Sequence, residues 1–239
     1  MTQYAFYFDQ SRCYDCKACA VACKDWNQLE PGPCKWLRMF EWEEGEIPNV
    51  RLNAMFAPCY HCENPACVPA CPEDAIFKED KYGAVLVEQD KCTGCRSCYE
   101  ACPYGAPQFA SDEPGEKMSK CTMCLDRLED GKKPICVMSC PLRALDFGTL
   151  EEMRAAYPDA LEALPEMPDT TGTAPSILFK AKTDRKKIVK LDDDKCRAAL
   201  LNLDGGEFSG EVPEALRGHL NMKPKNAEEL MVLTRNDEG

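Results

Sequence analysis

The chain has 239 residues, length enough for an ordinary apolar core, yet 18 of them are cysteine and the formal net charge is −12. The acidic balance excludes nucleic acid as a partner, because phosphate binding needs a basic footprint. No apolar run approaches the length that crosses a bilayer, so no direct membrane span is expected. The cysteine fraction signals a scaffold held by covalent or metal links, and spacings of two and three residues suit a compact metal site better than a disulfide framework. The first residues show no charged region followed by an apolar one, which leaves either a cytoplasmic home or export already folded on a partner that bears the signal.

Residues 4–8 are short, aromatic and bounded by Asp9, as a strand is. The first cysteine group follows as Cys13, Cys16, Cys19 and Cys23. Residues 18–26 have helix-forming composition and would carry Cys19 and Cys23 one turn apart on one face. Alternating apolar character at 36–42 and 50–56, around Glu44-Gly45-Glu46, predicts a hairpin with Trp26, Trp36 and Trp42 as packing residues. The second group is Cys59, Cys62, Cys67 and Cys71, with a longer middle gap holding Asn64-Pro65. His61 lies between two of these cysteines. Four thiolates already complete the ligand count, so His61 is expected to hydrogen-bond a sulfide or a carbonyl.

Beyond Pro72 come Ala75-Ile76-Phe77, a turn at Tyr82-Gly83 and Val85-Leu86-Val87, read as a helix end, hairpin and strand. They lead to the third group, Cys92, Cys95, Cys98 and Cys102. Its C-x2-C-x2-C-x3-C-P pattern is the spacing of a bacterial ferredoxin loop. Three thiolates at two-residue steps wrap one face of a cuboidal iron-sulfur cluster, whereas tetrahedral zinc would have a thiolate too many. Glu88 stands four residues before Cys92 as Asp9 stands four before Cys13. The fourth group is Cys121, Cys124, Cys136 and Cys140. Ala144-Leu145-Asp146-Phe147 follows Cys140-Pro141 much as Ala75-Ile76-Phe77 follows Cys71-Pro72.

This internal repeat predicts an α+β fold of two interleaved bacterial-ferredoxin-like modules. Residues 1–23 and 103–148 form a split module with groups one and four. Residues 24–58 form the hairpin insertion, and 59–102 an inserted module with groups two and three. Residues 149–239 are expected to form a C-terminal extended and helical arm that contacts a partner. In that arm Thr149 and Glu152 make a capping box before a helix to about residue 156, and 177–181 read as a strand. A basic stretch at 180–190, acidic residues 192–194 and short helices near 195–203, 213–220 and 227–233 complete it.

If each fourth cysteine crosses to the partner group, as in two-cluster ferredoxins, sixteen thiolates hold four 4Fe-4S clusters. The first takes Cys13, Cys16, Cys19 and Cys140. The second takes Cys121, Cys124, Cys136 and Cys23. The third takes Cys59, Cys62, Cys67 and Cys102, and the fourth Cys92, Cys95, Cys98 and Cys71. Cys34 and Cys196 remain as ordinary thiols. Fully thiolate-ligated clusters have no open coordination position and transfer single electrons. Two histidines, no phosphate-cradling loop and no Ser/His/Asp set argue against a catalytic centre in this chain.

The order of the four groups, with Cys-Tyr-His-Cys-Glu-Asn-Pro-Ala-Cys at 59–67 and Lys-Cys-Thr-Met-Cys-Leu-Asp-Arg at 120–127, resembles the electron-transfer beta subunits of the dimethyl sulfoxide reductase superfamily. The likeness covers roughly residues 1–150 and is strongest to the dimethyl sulfoxide reductase type, since all sixteen ligand cysteines are present. Relatives lacking a ligand in group three carry a 3Fe-4S centre, whereas Cys95 is intact here. The resemblance implies a large catalytic subunit holding molybdenum or tungsten on a bis-pterin cofactor. It also implies a redox partner at the far end, either a membrane anchor exchanging electrons with quinone or a soluble carrier. A free-standing polyferredoxin is the alternative function, and clusters or zinc serving only as folding staples a third.

Overall fold

The computed structural model describes residues 2–47, 50–165 and 167–183. The chain divides into two compact units, Met1–Asp184 and Arg185–Gly239. The second lies outside the described residues, and with it Cys196, the acidic run and the three short helices expected near the end.

The first unit is mixed α/β. Its central strand is β1 (Tyr4–Asp9), buried along nearly its whole length. After the first cysteine loop comes α1 (Ala18–Trp26), which buries Cys19 and Cys23. A hairpin of β2 (Arg38–Glu44) and β3 (Arg51–Ala57) follows, antiparallel from Arg38↔Ala57 to Glu44↔Arg51. Next are β4 (Ile76–Lys78) and β5 (Val85–Val87), paired antiparallel, then α2 (Ser97–Ala101). The short helices α3 (Leu125–Glu129) and α4 (Ile135–Met138) lead to β6 (Leu145–Thr149), α5 (Leu150–Ala156) and β7 (Ile177–Lys180).

β1 pairs antiparallel with β6 on one side and parallel with β7 on the other. Alternate side chains of a strand face opposite ways, which is why β1 is apolar or aromatic from Tyr4 to Phe8: both faces are covered. Phe6 and Phe8 pack with Phe56, Phe147 and Phe179 in the main core, which also contains Cys19, Cys23, Cys136 and Cys140. Tyr7 points the other way and stacks on Tyr157, ring centroids 3.6 Å apart, beside Met153 of α5. Burying each large apolar side chain contributes about 1.5–3 kcal/mol. The β4–β5 pair is far smaller, and its core is Ile76, Val85, Cys98 and Met118.

Three features differ from the sequence reading. Residues 149–183 were expected to open a separate arm, but they belong to the first unit. The apolar run of β7 completes the sheet beside β1, and Leu161 bridges back to Phe179. The capping box is formed in both directions by Thr149 and Glu152, and it anchors α5 against the same sheet. The stretch beyond Pro72, read as a helix end, is a turn at 72–73 leading into β4, because Pro69 and Pro72 supply no N–H to extend a helix. Trp26 is 45% exposed: its Nε1–H donates to Asp126 at 2.7 Å and its ring lies under the Arg127 guanidinium. Trp36 packs against the main core as expected.

Candidate metal centres

Each cysteine loop turns on residues with left-handed backbone. The residue before the second cysteine has positive φ in all four groups: Asp15 at 59°, His61 at 46°, Gly94 at 75° and Met123 at 61°. Such a residue reverses the backbone direction from one thiol to the next. Glycine adopts it freely, and the other three are uncommon there. At Gly94 a side chain would also meet the backbone of Gly115 and Glu116.

A second device recurs after the last cysteine. Cys71, Cys102 and Cys140 are each followed by Pro, then by a left-handed residue at the third position (Asp74, Gly105, Arg143) and by Ala at the fourth. In each case the alanine N–H donates back to the cysteine sulfur, at 3.4, 3.5 and 3.2 Å for Ala75, Ala106 and Ala144. Cys23 has no such turn because α1 continues through it. There Asn27, also four residues on, donates from its side-chain Nδ2 to Cys23 Sγ at 3.6 Å. One amide thus serves each of the four sulfurs by two different routes.

The cysteines converge across groups. One cavity is lined by Cys13, Cys16, Cys19 and Cys140. Another is lined by Cys59, Cys62, Cys67 and Cys102, and a third by Cys71, Cys92, Cys95 and Cys98. In each, three cysteines come from one loop and the fourth from the end of another group. The remaining quartet is brought together by α1 against α4: Cys23, Cys121, Cys124 and Cys136 are close enough to shift one another's acidity. Among the described residues, no three Cys, His, Asp or Glu side chains meet closely enough to hold a single metal ion. The thiols of these quartets stand around a space.

Burial is the main cause of the raised thiol pKa values. It pushes Cys19 and Cys23 up to about 12, helped by the charges of Cys13 and Cys124 respectively. Cys62 and Cys67 also rise to about 12, through burial and then the charge of Cys59. Cys98 reaches about 11, through burial and then Cys95. Cys95 is the exception, lowered by the hydroxyl and backbone of Ser97. Buried thiolates crowded like this need positive charge in their midst, which bound iron supplies on displacing the protons.

The quartets are in series. Cys19 and Cys140 share a buried cluster with Cys23 and Cys136. Cys121 packs with Cys59 and Ala106, against Cys102, and Cys67 packs on Cys98. Of the described cysteines only Cys16 and Cys95, in the first and last quartets, are exposed.

The profile of the 4Fe-4S dicluster domain matches residues 50–150. A component of the anaerobic dimethyl sulfoxide reductase of Escherichia coli is 44% identical over 193 residues, covering 77% of this chain and 92% of that one. This protein belongs to the dimethyl sulfoxide reductase iron-sulfur subunit family. A sulfite dehydrogenase subunit of Allochromatium vinosum is 33% identical over 244 residues, 89% of this chain and 99% of that one. The iron-sulfur subunit of the nitrate-inducible formate dehydrogenase of Escherichia coli is 34% identical over 170 residues, 63% of this chain and 56% of that one. The matching dicluster domain and the cysteine quartets make the cofactors of this chain 4Fe-4S clusters, and the cavities that the thiols line fit them.

His61 does not bond the expected carbonyl: its ring is fully buried, its Nδ1 accepts the Val85 N–H at 3.0 Å and its Nε2 has no partner among the described protein groups. Burial, then the Lys120 charge, holds it well below the usual histidine range. Cys34 lies outside the quartets with its sulfur 3.1 Å from Ser119 Oγ. Sequence reasoning passed over Asn27, Lys120 and the amide-to-sulfur turns. The threefold Cys-Pro-x-x-Ala repeat was the signal for the turns.

Proposed function

We propose that this chain is an electron relay carrying four 4Fe-4S clusters, one per cysteine quartet. It passes single electrons between a large molybdenum or tungsten bis-pterin subunit and a redox partner, either a membrane anchor or a soluble carrier. The observation that carries the reading is the serial packing of the quartets, with exposed cysteines, among the described residues, only at the two ends. When bound, a fully thiolate-ligated 4Fe-4S cluster supplies one-electron chemistry whose potential depends on hydrogen bonds, charge and exposure. The residues hold the sulfurs, exclude water from the middle of the path and aim amide N–H groups at the ligands.

Two interleaved modules account for the strand pairing. In the split module, β1 leads into the first cysteine group and pairs antiparallel with β6, which leaves the fourth. In the inserted module, β5 leads into the third group and pairs antiparallel with β4, which leaves the second. The residues beyond 184 then serve as the partner-contacting arm. Names such as dimethyl sulfoxide reductase and sulfite dehydrogenase among the relatives favour a subunit of a respiratory oxidoreductase, here placed in anaerobic respiration, over a free-standing polyferredoxin.

Purification at native abundance tests this. The expected product is a complex with a larger pterin-containing chain and about sixteen iron per relay chain. A monomer without that partner overturns the relay, and two to four zinc without iron overturns the clusters. Cys102→Ser should disturb the electron paramagnetic resonance signal of the cluster at Cys59, Cys62 and Cys67. Loss at Cys92, Cys95 and Cys98 instead would refute the crossed ligation.

A further inference from the structure

Lys120 is the residue the relay reading leaves without a task. Its side chain lies inside the fold, with the residue only 3% exposed, and it lines the cavity of Cys59, Cys62, Cys67 and Cys102. Its Nζ donates to the carbonyl of Val85 and, at 3.2 Å, to that of Cys121, a member of the neighbouring quartet. Among the described residues no carboxylate pairs with it. The fold has surface lysines in quantity, and those with acidic partners, such as Lys81 with Glu129 and Lys91 with Glu88, are exposed. A buried ammonium whose hydrogen bonds go only to carbonyls is costly unless an anion compensates it.

The anion is available only when the quartets are loaded. Four thiolates and an iron-sulfur core leave each site negative, and Lys120 stands at the junction of the two inner ones. We infer that Lys120 is the internal counter-charge of the third and second clusters, and that it holds an electron in the middle of the path by favouring their reduced states. This rests on the relay reading above. The step is one electron entering a cluster from its neighbour and leaving to the next. It adds one negative charge to the site, with no bond made or broken and no proton taken up. A fixed cation beside that charge favours the reduced state, and low exposure keeps water from screening it.

Lys78 provides an internal contrast. It also serves the third quartet, donating to the carbonyls of Cys62 and Glu63 at 3.0 Å, but it is only partly buried and solvent reaches it. Its removal should matter less. Lys120 is a positioning residue for charge rather than a ligand, and its two carbonyl contacts alone would give it a merely structural role. Variants separate these. Lys120→Gln keeps a hydrogen-bond donor and removes the charge, while Lys120→Arg keeps the charge.

The experiment is a redox titration of the purified complex followed by electron paramagnetic resonance, with iron counted in every sample. Lys120→Gln should lower the one-electron reduction constant of the third cluster at least tenfold, which is about 59 mV. A smaller fall is expected at the second cluster and none at the first and fourth. Lys120→Arg should stay near the wild-type potentials, and Lys78→Gln should move the third cluster less than Lys120→Gln does. Unchanged potentials in Lys120→Gln at full iron overturn the inference while leaving the relay intact. So does an equal shift at all four clusters. If Lys120→Gln loses iron from the inner sites while Lys120→Arg retains it, the counter-charge is supported. Equal loss in both variants overturns it in favour of a structural donor. A wild-type complex without four clusters fails the relay reading itself.

Discussion

The two strand pairs that lead into and out of the cysteine loops are built on the same plan and stabilised differently. Around β1 and β6 the pair is extended by β7, covered by α5, and filled with Phe6, Phe8, Phe147, Ile177 and Phe179. Around β4 and β5 there are two strands of three residues and a core that mixes Ile76, Val85 and Met118 with Cys98 itself. A two-stranded pair of that length is marginal alone. The lesson is that the same loop geometry can be held either by aromatic packing or largely by the metal, and this chain uses both.

Removing the iron should separate the two strand pairs most completely. In a chelator-stripped chain, hydrogen exchange is expected to reach the amides of Ile76 and Val87 early, while those of β1 stay protected. Equal loss of protection in both pairs would show that packing does not distinguish them. Next in size is Phe147→Ala. Emptying that buried site should cost about 3–5 kcal/mol in denaturant unfolding and leave the resonance signal of the Cys71, Cys92, Cys95 and Cys98 cluster unchanged.

Acidity sharpens the contrast further. Cys19 and Cys23, pushed up to about 12, keep their protons in the iron-free fold across the neutral range, so each must release one when iron binds. Iron affinity therefore rises with pH toward that value and falls in acid. At the fourth quartet Cys98, raised to about 11, also keeps its proton in this range, but Cys95 is lowered by the hydroxyl and backbone of Ser97 and gives its proton up more readily. Competition with a chelator between pH 6 and pH 9, about three units, should give a shallower pH dependence for that site. The smallest effect is expected from Thr149→Ala. Losing the cap of α5 should cost about 1 kcal/mol, seen as a small fall in the unfolding midpoint with the clusters untouched.

Much of this was legible beforehand, for identifiable reasons. Cysteine spacing is a local property, so the four loops and the helix carrying Cys19 and Cys23 could be read directly, as could the hairpin and the capping box. The place of residues 177–180 could not. Which edge a short apolar strand joins depends on non-local pairing, and β7 reaches β1 across the length of the first unit. Lys120 escaped for the same reason: adjacent to Cys121 in sequence, it gains its setting from Val85 and from a cavity formed by other loops. Trp26 was misjudged because an aromatic ring satisfied by Asp126 and Arg127 needs no core.

The position of β1 also sets an order of assembly. Its two neighbours, β6 and β7, are made long after it: Phe8 waits for Leu145, and Phe6 for Ile177. Until then the first strand has no sheet to join, and such distant pairing forms slowly. Both strands of the inner pair, by contrast, are complete once Val87 has been synthesised. During synthesis the strands of the inner pair are therefore complete first, but the loop of Cys59, Cys62 and Cys67 still waits for Thr173, Ala174 and Ser176 to bond it as the outer half closes.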